Sequence, residues 1–278
     1  MVETHLGPVK DDSSLTYLRG ETTQGIYVNY KNVKTTMRAE LPFGICQVGK
    51  AFRNEITPGH FIYRMREFEQ MEQQYFVRPD EADTYFNYWK EERMRWYLSL
   101  GMKKENLRFR PHAKDELAHY ARAAEDIEYH FPFGWHEIEG IHNRGDWDLS
   151  RHSQFSGQDL SETDEKTGKK FYPYIIETSA GADRLTLAFL VDAYNDEDKS
   201  RLVLQLHPKL APFQAAVFPL LKNKPELVAK ARAIYNDLKK EFSVAFDDRG
   251  NIGKRYYSQD EIGTPMCVTV DFETLEKG

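Results

Sequence analysis

Arginines, carboxylates and one aromatic ring are concentrated where the alternation of residue types predicts a β-hairpin. The first strand is predicted over residues 44–55, ending in Phe52-Arg53-Asn54-Glu55, and the second over residues 61–76. Alternation places a set of polar and aromatic side chains on one face of the second strand: Arg64, Arg66, Phe68, Gln70 and Glu72. Arginine binds phosphate through a planar charged fork, and a neighbouring ring offers a base a stacking surface. An exposed ladder of cross-strand ion pairs would give the same pattern, so both interpretations stay open.

A second candidate site lies between a strand predicted over residues 172–178 and a helix predicted over residues 183–193. The connecting segment, ETSAGADR over residues 177–184, is rich in small residues. Small residues let backbone amides at a helix start approach an anion, and Arg184 would add positive charge there. An ordinary strand-to-helix turn with an Asp183–Arg184 surface pair is the alternative.

Two further groups of carboxylates could take part in chemistry. Glu137 and Glu139 are predicted to share one face of a strand, where they repel each other unless a cation such as magnesium lies between them. Glu21 lies in a polar stretch of small residues. An exposed strand and a helix N-cap region, respectively, are the structural alternatives.

The cysteines and histidines do not form a metal-binding pattern. Cys46 and Cys267 are far apart in sequence, and the histidines have no ligand spacing, so neither a disulfide framework nor a zinc site is expected. His136 and His142 are expected to be polar surface residues.

Composition excludes several classes of protein. The chain has 278 residues, 40% of them hydrophobic, and a formal net charge of -6. It can therefore bury a core and is no polycation, although a local basic stripe could still bind nucleic acid. The apolar runs are too short for a membrane span, and the chain is expected to be cytoplasmic.

The elements that position these groups follow from periodicity. Residues 80–100 carry aromatic side chains at helical spacing and are predicted to pack a helix on the core. A second helix is predicted near residues 114–124, and residues 1–20 are predicted to be irregular. Beyond Ala211-Pro212, strands alternate with helices, which predicts a small domain with parallel strand pairs.

Several segments together resemble the motifs of the class II aminoacyl-tRNA synthetases, and within that class the dimeric bacterial glycyl family. Residues 18–25 (LRGETTQG) are similar to the family's LRPETAQG. Residues 52–58 with 66–72 are similar to its motif 2 hairpin, and residues 177–184 to its motif 3. Residues 251–256 (NIGKRY) and 260–265 (DEIGTP) are similar to its anticodon-binding domain. The order and spacing of these segments agree over nearly the whole chain.

The resemblance implies an α+β fold and an activity. A six-stranded class II antiparallel sheet with flanking helices is expected over residues 1–211, followed by a small, incomplete α/β anticodon-binding domain over residues 212–278. ATP and magnesium would activate glycine to glycyl-adenylate, and the glycyl group would pass to the 3′ end of tRNA(Gly). The family is homodimeric.

The resemblance also assigns roles to residues. It implies three catalytic residues: Arg53, Arg184 and Glu177. It implies a set that binds ATP: Arg53, Asn54, Glu55, Tyr63, Arg64, Arg66, Glu67, Phe68, Glu137, Ile138, Gly181, Ala182, Asp183 and Arg184. It implies a set that binds glycine: Glu21, Phe68, Glu69, Gln70, Met71, Glu72, Glu177, Thr178, Ser179, Ala180 and Gly181. Glu137 and Glu177 are the expected magnesium ligands.

The sequence also departs from the family pattern. Gly20 and Thr178 replace prolines, which loosens the backbone beside Glu21 and Ser179. Motif 1 is expected ahead of residue 1, and the family's final strand and helix after Phe272 have no counterpart, so a core fragment is expected. A non-catalytic nucleic-acid-binding relative and an inactive truncated core are the alternative functions.

Overall fold

A six-stranded antiparallel sheet forms the centre of the larger of two compact units. The computed structural model describes residues 1–197 and 200–277. The larger unit comprises residues 1–96 and 104–188. The strands of this unit are β1 Val2–His5, β2 Leu15–Leu18, β3 Phe43–Phe52, β4 Glu67–Val77, β5 Leu107–Pro111, β6 Ala123–Phe131, β7 Gly134–Gly145, β8 Glu162–Thr163, β9 Lys170–Phe171 and β10 Tyr174–Gly181. The six-stranded sheet has the order β3-β4-β10-β7-β6-β5, and β1-β2 and β8-β9 form separate pairs. The predicted sheet is confirmed.

Helices cover this sheet and supply part of its core. Their bounds are α1 Thr23–Met37, α2 Ala82–Ser99, α3 Trp147–Ser156 and α4 Ala182–Ala193; the ends of α2 and α4, from Tyr97 and from Phe189, are counted with the second unit. Helix α1 contributes Ile26, Tyr27 and Tyr30 to a buried cluster that also contains Phe76 of β4 and Leu149 of α3. Burial of large apolar side chains is the main force that holds such a helix on a sheet.

The second compact unit contains a three-stranded parallel sheet of order β14-β13-β15. This unit is built from residues 97–103 and the described residues from Phe189 onward. Its elements are β11 Tyr194–Asn195, β12 Val203–Leu204, β13 Ala215–Pro219, α5 Pro225–Leu238, β14 Val244–Phe246, α6 Ile252–Glu261, β15 Met266–Val270 and α7 Phe272–Lys277. Leu227 and Ala231 of α5 pack against Val217 and Val270 of the sheet. The predicted α/β domain with parallel strand pairs is confirmed.

Several local predictions are wrong, among them the first hairpin strand, which ends at Phe52 and not at residue 55. Residues 114–122 form turns and irregular structure, and the predicted helix cannot extend to residue 124 because Ala123 and Ala124 already pair with β7. The second hairpin strand begins only at Glu67, since Phe61–Tyr63 forms a 3₁₀ turn. Residues 1–20 contain the paired strands β1 and β2. Helix α7 occupies the segment from Phe272 onward, where no further element was predicted.

Candidate active site

Strand register brings the chemically active side chains into rows across β4, β10 and β7. Glu177 of β10 is directly opposite Gln74 of β4 and His142 of β7. In the next row, Ser179 is opposite Glu72 on one side and Gly140 on the other. Side chains two residues apart lie on the same face of a strand. These rows therefore form one polar surface on a single face of the sheet.

An arginine pocket lies beside these rows, at the ends of β3, β4 and β10. Its lining includes Arg53, Glu55, Ile62, Tyr63, Arg64, Met65, Phe68, Gln70, Glu137, Ser179, Ala180, Gly181, Asp183 and Arg184. The Arg53 guanidinium lies 5.4 Å from the centre of the Phe68 ring. The Arg184 guanidinium lies 4.3 Å from the centre of the Tyr63 ring. Both guanidinium groups are thus stacked on aromatic rings of the protein. A planar base could take the place of a guanidinium on such a ring.

Tyr63 and Arg184 are tied to β7 at Glu137. The Tyr63 hydroxyl donates a hydrogen bond to the Glu137 carbonyl at 2.9 Å, and the Arg184 guanidinium donates to the same carbonyl at 3.1 Å. The Glu137 carboxylate is 3.5 Å from Arg184 and its side chain is 47% exposed. Burial raises the pKa of the Tyr63 hydroxyl to about 12, so it remains a hydrogen-bond donor at neutral pH.

A β-bulge separates Glu137 from Glu139. Glu137 is opposite Glu128 and Glu139 is opposite Ile127, so Ile138 has no partner on β6. An extra residue in one strand reverses the alternation beyond it. Glu139 consequently points to the opposite face, where it pairs with Arg93 at 2.7 Å. The prediction that the two carboxylates share a face is wrong.

A carboxylate pocket adjoins the arginine pocket and shares Arg53, Gln70, Glu137 and Ser179 with it. Its lining is Glu21, Arg53, Gln70, Glu72, His112, Tyr120, Asp126, Glu137, Gly140, His142, Glu177 and Ser179. The Glu72 carboxylate accepts hydrogen bonds from the Thr22 hydroxyl, from Gln70 at 3.0 Å and from Ser179 at 3.2 Å. These donors are neutral. Burial, followed by the charge of Glu177, raises the pKa of Glu72.

Glu177, in contrast, is paired with cations inside the protein. One oxygen, Oε2, accepts from Arg144 at 2.8 Å and from Gln74 at 2.6 Å. The other, Oε1, is 3.1 Å from His142 Nδ1. Burial alone would raise the pKa of Glu177, but His142, Arg144 and Gln74 together lower it to about 2. Glu177 is therefore ionised at neutral pH.

Arg144 links Glu177 to helix α3. Its guanidinium donates to both carboxylate oxygens of Asp148, at 2.7 and 3.0 Å, and stacks 3.8 Å from the centre of the Tyr120 ring. Only 3% of the Arg144 side chain is exposed. Burial would lower the pKa of Arg144, but Asp148 and Glu177 raise it, so the guanidinium stays charged.

His142 is not the surface residue that the sequence predicted. Its side chain is 19% exposed. Burial lowers its pKa, whereas Glu177 raises it, and the net pKa lies above the ordinary value. His112 forms a parallel pair in the same pocket, with its Nε2 atom 2.8 Å from Asp126.

The structure does not bring every predicted residue to these pockets. Several lie outside both linings: Asn54, Arg66, Glu67, Glu69, Met71, Ile138, Thr178 and Ala182. Met71 and Thr178 instead line a groove on the opposite face of the sheet, together with Arg93 and Glu139. Arg66 bonds the Glu55 carbonyl at 3.0 Å and Glu67 pairs with Lys50 at 3.3 Å. Roles in binding ATP or glycine for these residues stay predictions.

The donor set bears on where a magnesium ion could bind. Across residues 1–197 and 200–277, no group of three or more histidine, cysteine or acidic side chains could hold a metal ion. Both oxygens of Glu177 are engaged by Arg144, Gln74 and His142. This geometry argues against Glu177 as a magnesium ligand. The half-exposed Glu137 carboxylate fits an ion that arrives on a nucleotide, since magnesium usually takes one or two carboxylates plus phosphate oxygens.

Sequence reasoning missed the residues that hold the carboxylates in place. These are Thr22, Gln74, His112, Tyr120, Asp126, Gly140, Arg144 and Asp148. The signal available was the alternation Gly140, His142, Arg144 along β7, which places all three on one face. Their partners on other elements could not be read from that pattern.

Comparison with known proteins agrees with this geometry. The family model of the class II tRNA synthetase core domain (G, H, P, S and T) matches residues 8–194, and that of the anticodon binding domain matches residues 214–278. An antiparallel sheet that carries arginine and carboxylate pockets, followed by a small α/β domain, defines this class of protein. The chain belongs to the class II tRNA synthetase core family.

The chain is also similar to curated proteins named glycine–tRNA ligase. It is 54% identical to the one from Geobacillus kaustophilus, over 100% of this chain and 61% of the relative. It is 55% identical to that of Caldanaerobacter subterraneus, over 99% of the chain and 59% of the relative. For the Thermobifida fusca protein the values are 52%, 99% and 62%. The chain thus spans about 60% of the length of these relatives. In the part of the chain that the structure describes, every helix is too short or too polar to cross a membrane.

Proposed function

We propose that the chain activates glycine with ATP to glycyl-adenylate and transfers the glycyl group to the 3′ end of tRNA(Gly). The observation that carries the proposal is the junction of two pockets. An arginine and aromatic pocket, suited to a nucleotide, opens through Arg53, Gln70, Glu137 and Ser179 into a carboxylate pocket suited to an ammonium group. The names of the relatives support this assignment.

The arginine pocket would hold ATP. Phe68 and Arg184 line the same pocket, and we place adenine between the Phe68 ring and the Arg184 guanidinium. Arg53 now covers the Phe68 ring, so it must leave that ring when adenine binds, and the α-phosphate is the anion that would then hold it. Arg64 and Arg184 add positive charge for the remaining phosphates.

The reaction needs no nucleophile from the protein. A carboxylate oxygen of glycine attacks the α-phosphorus, the bond from that phosphorus to the bridging oxygen breaks, and pyrophosphate leaves. In the second step a terminal ribose hydroxyl of tRNA attacks the glycyl carbonyl carbon, and the bond from that carbon to the phosphate oxygen breaks. AMP leaves, and the hydroxyl proton passes to solvent. Catalysis is then the alignment of the reacting groups and the neutralisation of phosphate charge by arginines such as Arg53.

The carboxylate pocket would hold the glycine ammonium group at Glu72 and Glu21. Thr22, Gln70 and Ser179, all neutral, donate hydrogen bonds to Glu72. Glu177, in contrast, is paired with Arg144 and His142. An ammonium group supplies the cation that buried Glu72 lacks. Selection of glycine works by exclusion, because a wall packed against the α-carbon rejects a methyl group.

Magnesium would accompany ATP. When bound, it neutralises charge on the phosphate oxygens. Glu137 is the residue we propose to hold it, since its carboxylate is half exposed at the edge of both pockets.

The remaining partners follow from the family. The second unit is proposed to bind the anticodon of tRNA(Gly), since residues 214–278 match an anticodon binding domain. We also propose a cytoplasmic homodimer, as in the family that the sequence resembles. Sedimentation velocity of the purified chain tests the dimer, and a monomer over micromolar concentrations would reject it.

The test of the activity is exchange of labelled pyrophosphate into ATP, with glycine, alanine and serine compared side by side. We expect exchange with glycine and at least tenfold less with the other two, since one methyl group in a tight pocket is worth about 10-fold to 200-fold. No exchange from a folded chain would reject the activity. Retained tRNA binding in that case would favour a non-catalytic relative.

A further inference from the structure

His142 has a specific structural relation to Glu177. The two residues are direct partners across β7 and β10, and Nδ1 of His142 is 3.1 Å from Oε1 of Glu177. Arg144 and Gln74 contact the other oxygen, Oε2, from the opposite direction. Both carboxylate oxygens of Glu177 therefore have polar neighbours, which restricts rotation of the carboxylate about the Cγ–Cδ bond.

Gly140 makes room for this arrangement. It lies two residues before His142, on the same face of β7, and a Cβ atom there would come 2.9 Å from His142 Cε1. Its backbone is not in the left-handed region, so an alanine at this position would fit the backbone but would have to displace the imidazole ring. The missing Cβ atom of Gly140 thus leaves the space that the His142 ring occupies on this face of β7.

Glu177 is the main polar partner of the His142 ring. Asp126 on β6 faces it from one side, and Arg144 follows it on its own strand. His112, whose ring centre is 6.3 Å away, is already bonded to Asp126. Among the described residues, the buried Nδ1 of His142 has no other polar partner than the Glu177 carboxylate, whose Oε1 lies 3.1 Å away as an ion pair.

We propose that His142 is a positioning residue. It holds the Glu177 carboxylate in one orientation at the side of the carboxylate pocket, and the space left by Gly140 lets the ring reach that position. This role rests on the proposed function, in which that pocket takes glycine. Without the ring, Oε1 is no longer held, so the Glu177 carboxylate can rotate and draw the ammonium group away from its position at Glu72. A displacement of about 1 Å in a positioning group can cost about 100-fold in rate.

A double-mutant cycle tests the proposal. His142→Leu is expected to raise the KM for glycine about 10-fold to 100-fold and to leave the KM for ATP within about twofold, because the ring acts on one pocket only. In a Glu177→Gln background the same substitution should change the glycine KM less than about twofold, since neighbours that act through one another are not additive. His142→Gln, which keeps a donor, should restore part of the loss.

Two further variants sharpen the result. Gly140→Ala keeps the imidazole but displaces it, and it should raise the glycine KM in the same direction as His142→Leu. His130→Leu, which removes an exposed histidine of the neighbouring strand β6, is the matched control and should change neither KM. Additive effects of His142→Leu and Glu177→Gln, or equal effects on the KM values for glycine and ATP, would overturn the proposal.

The cycle also separates this inference from the proposed function. If the parent chain catalyses no exchange, the proposed function fails. The same four proteins are then compared by urea unfolding, with intrinsic tryptophan fluorescence as the signal. If the two substitutions change the free energy of unfolding non-additively, the contact between His142 and Glu177 is supported. Strictly additive changes reject it.

Discussion

Replacing Arg144 by methionine removes the cation between two buried carboxylates. The guanidinium makes three contacts within 3.0 Å, two with Asp148 and one with Glu177. Both carboxylates are less than a tenth exposed, at 7% and 5% of their side chains. Methionine keeps an unbranched apolar stem in place of the arginine stem, so part of the packing is retained while the charge pairing and the stacking on Tyr120 are lost.

The expected cost is about 3–5 kcal/mol in the free energy of unfolding at pH 7, the usual effect of removing one partner from a buried ion pair. His142 and Gln74 continue to contact Glu177, so Asp148 carries much of the penalty. The penalty should shrink at pH 5. Arg144 is one of the groups that lower the pKa of Glu177, so without it that pKa rises and Glu177 can take up a proton instead of remaining a poorly compensated charge.

Urea unfolding at the two pH values provides the measurement. All four tryptophans lie in the larger unit, so their fluorescence reports on the unit that contains Arg144. Arg95→Met is the control, because this exposed residue pairs with Glu92 on the surface and such pairs contribute about 0–1 kcal/mol. A cost below about 1 kcal/mol for Arg144→Met would refute the view that this guanidinium compensates both carboxylates.

Three further predictions address the phosphate site, the acid limb of stability and the second unit. Arg53→Ala should lower kcat/KM for ATP about 10-fold to 150-fold, the loss of a charged hydrogen bond of about 1.5–3 kcal/mol, and unchanged steady-state kinetics would contradict the assigned phosphate contact. Glu177 has its pKa lowered from 4.5 to about 2, so its stabilisation is present above pH 4.5 and is lost as the pH falls toward 2. Glu177→Gln should therefore flatten the loss of stability in that range, and an unaltered acid unfolding curve would count against it. Arg255 is buried and donates to the carbonyls of Arg249, Pro219, Asp248 and Gly250. Arg255→Met should lower the protection of β13 amides in hydrogen exchange by about 3 kcal/mol or more, whereas the control Arg249→Met should leave it nearly unchanged.

Alternation of residue types identified much of the candidate site. Successive side chains of a regular strand point to opposite faces, so the sequence of one strand is enough to show which residues share a face. Phe68, Gln70 and Glu72 of β4 share a pocket face as predicted. Alternation failed at Glu139, because the bulge at Ile138 depends on how β7 pairs with β6, which is a property of two strands.

Elements held by distant contacts were also hidden from the sequence. Helix α1 contains three threonines, two asparagines and a glycine, all poor helix formers. Its buried residues Ile26, Tyr27 and Tyr30 pack against Phe76 and Ile175 of the sheet, and this tertiary burial outweighs the weak local preference. The burial of His142 and Arg144 likewise follows from partners on β10 and α3 that no local pattern reveals.

The proposed function requires that one site holds a nucleotide next to glycine and has no room for a larger amino acid. Calorimetric titration of the chain with glycyl sulfamoyl adenosine, a stable analogue of glycyl-adenylate, tests this requirement independently of turnover. We expect saturable binding that is at least about tenfold tighter than that of the alanyl analogue. Equal affinity for the two analogues, or no binding to the folded chain, would contradict it.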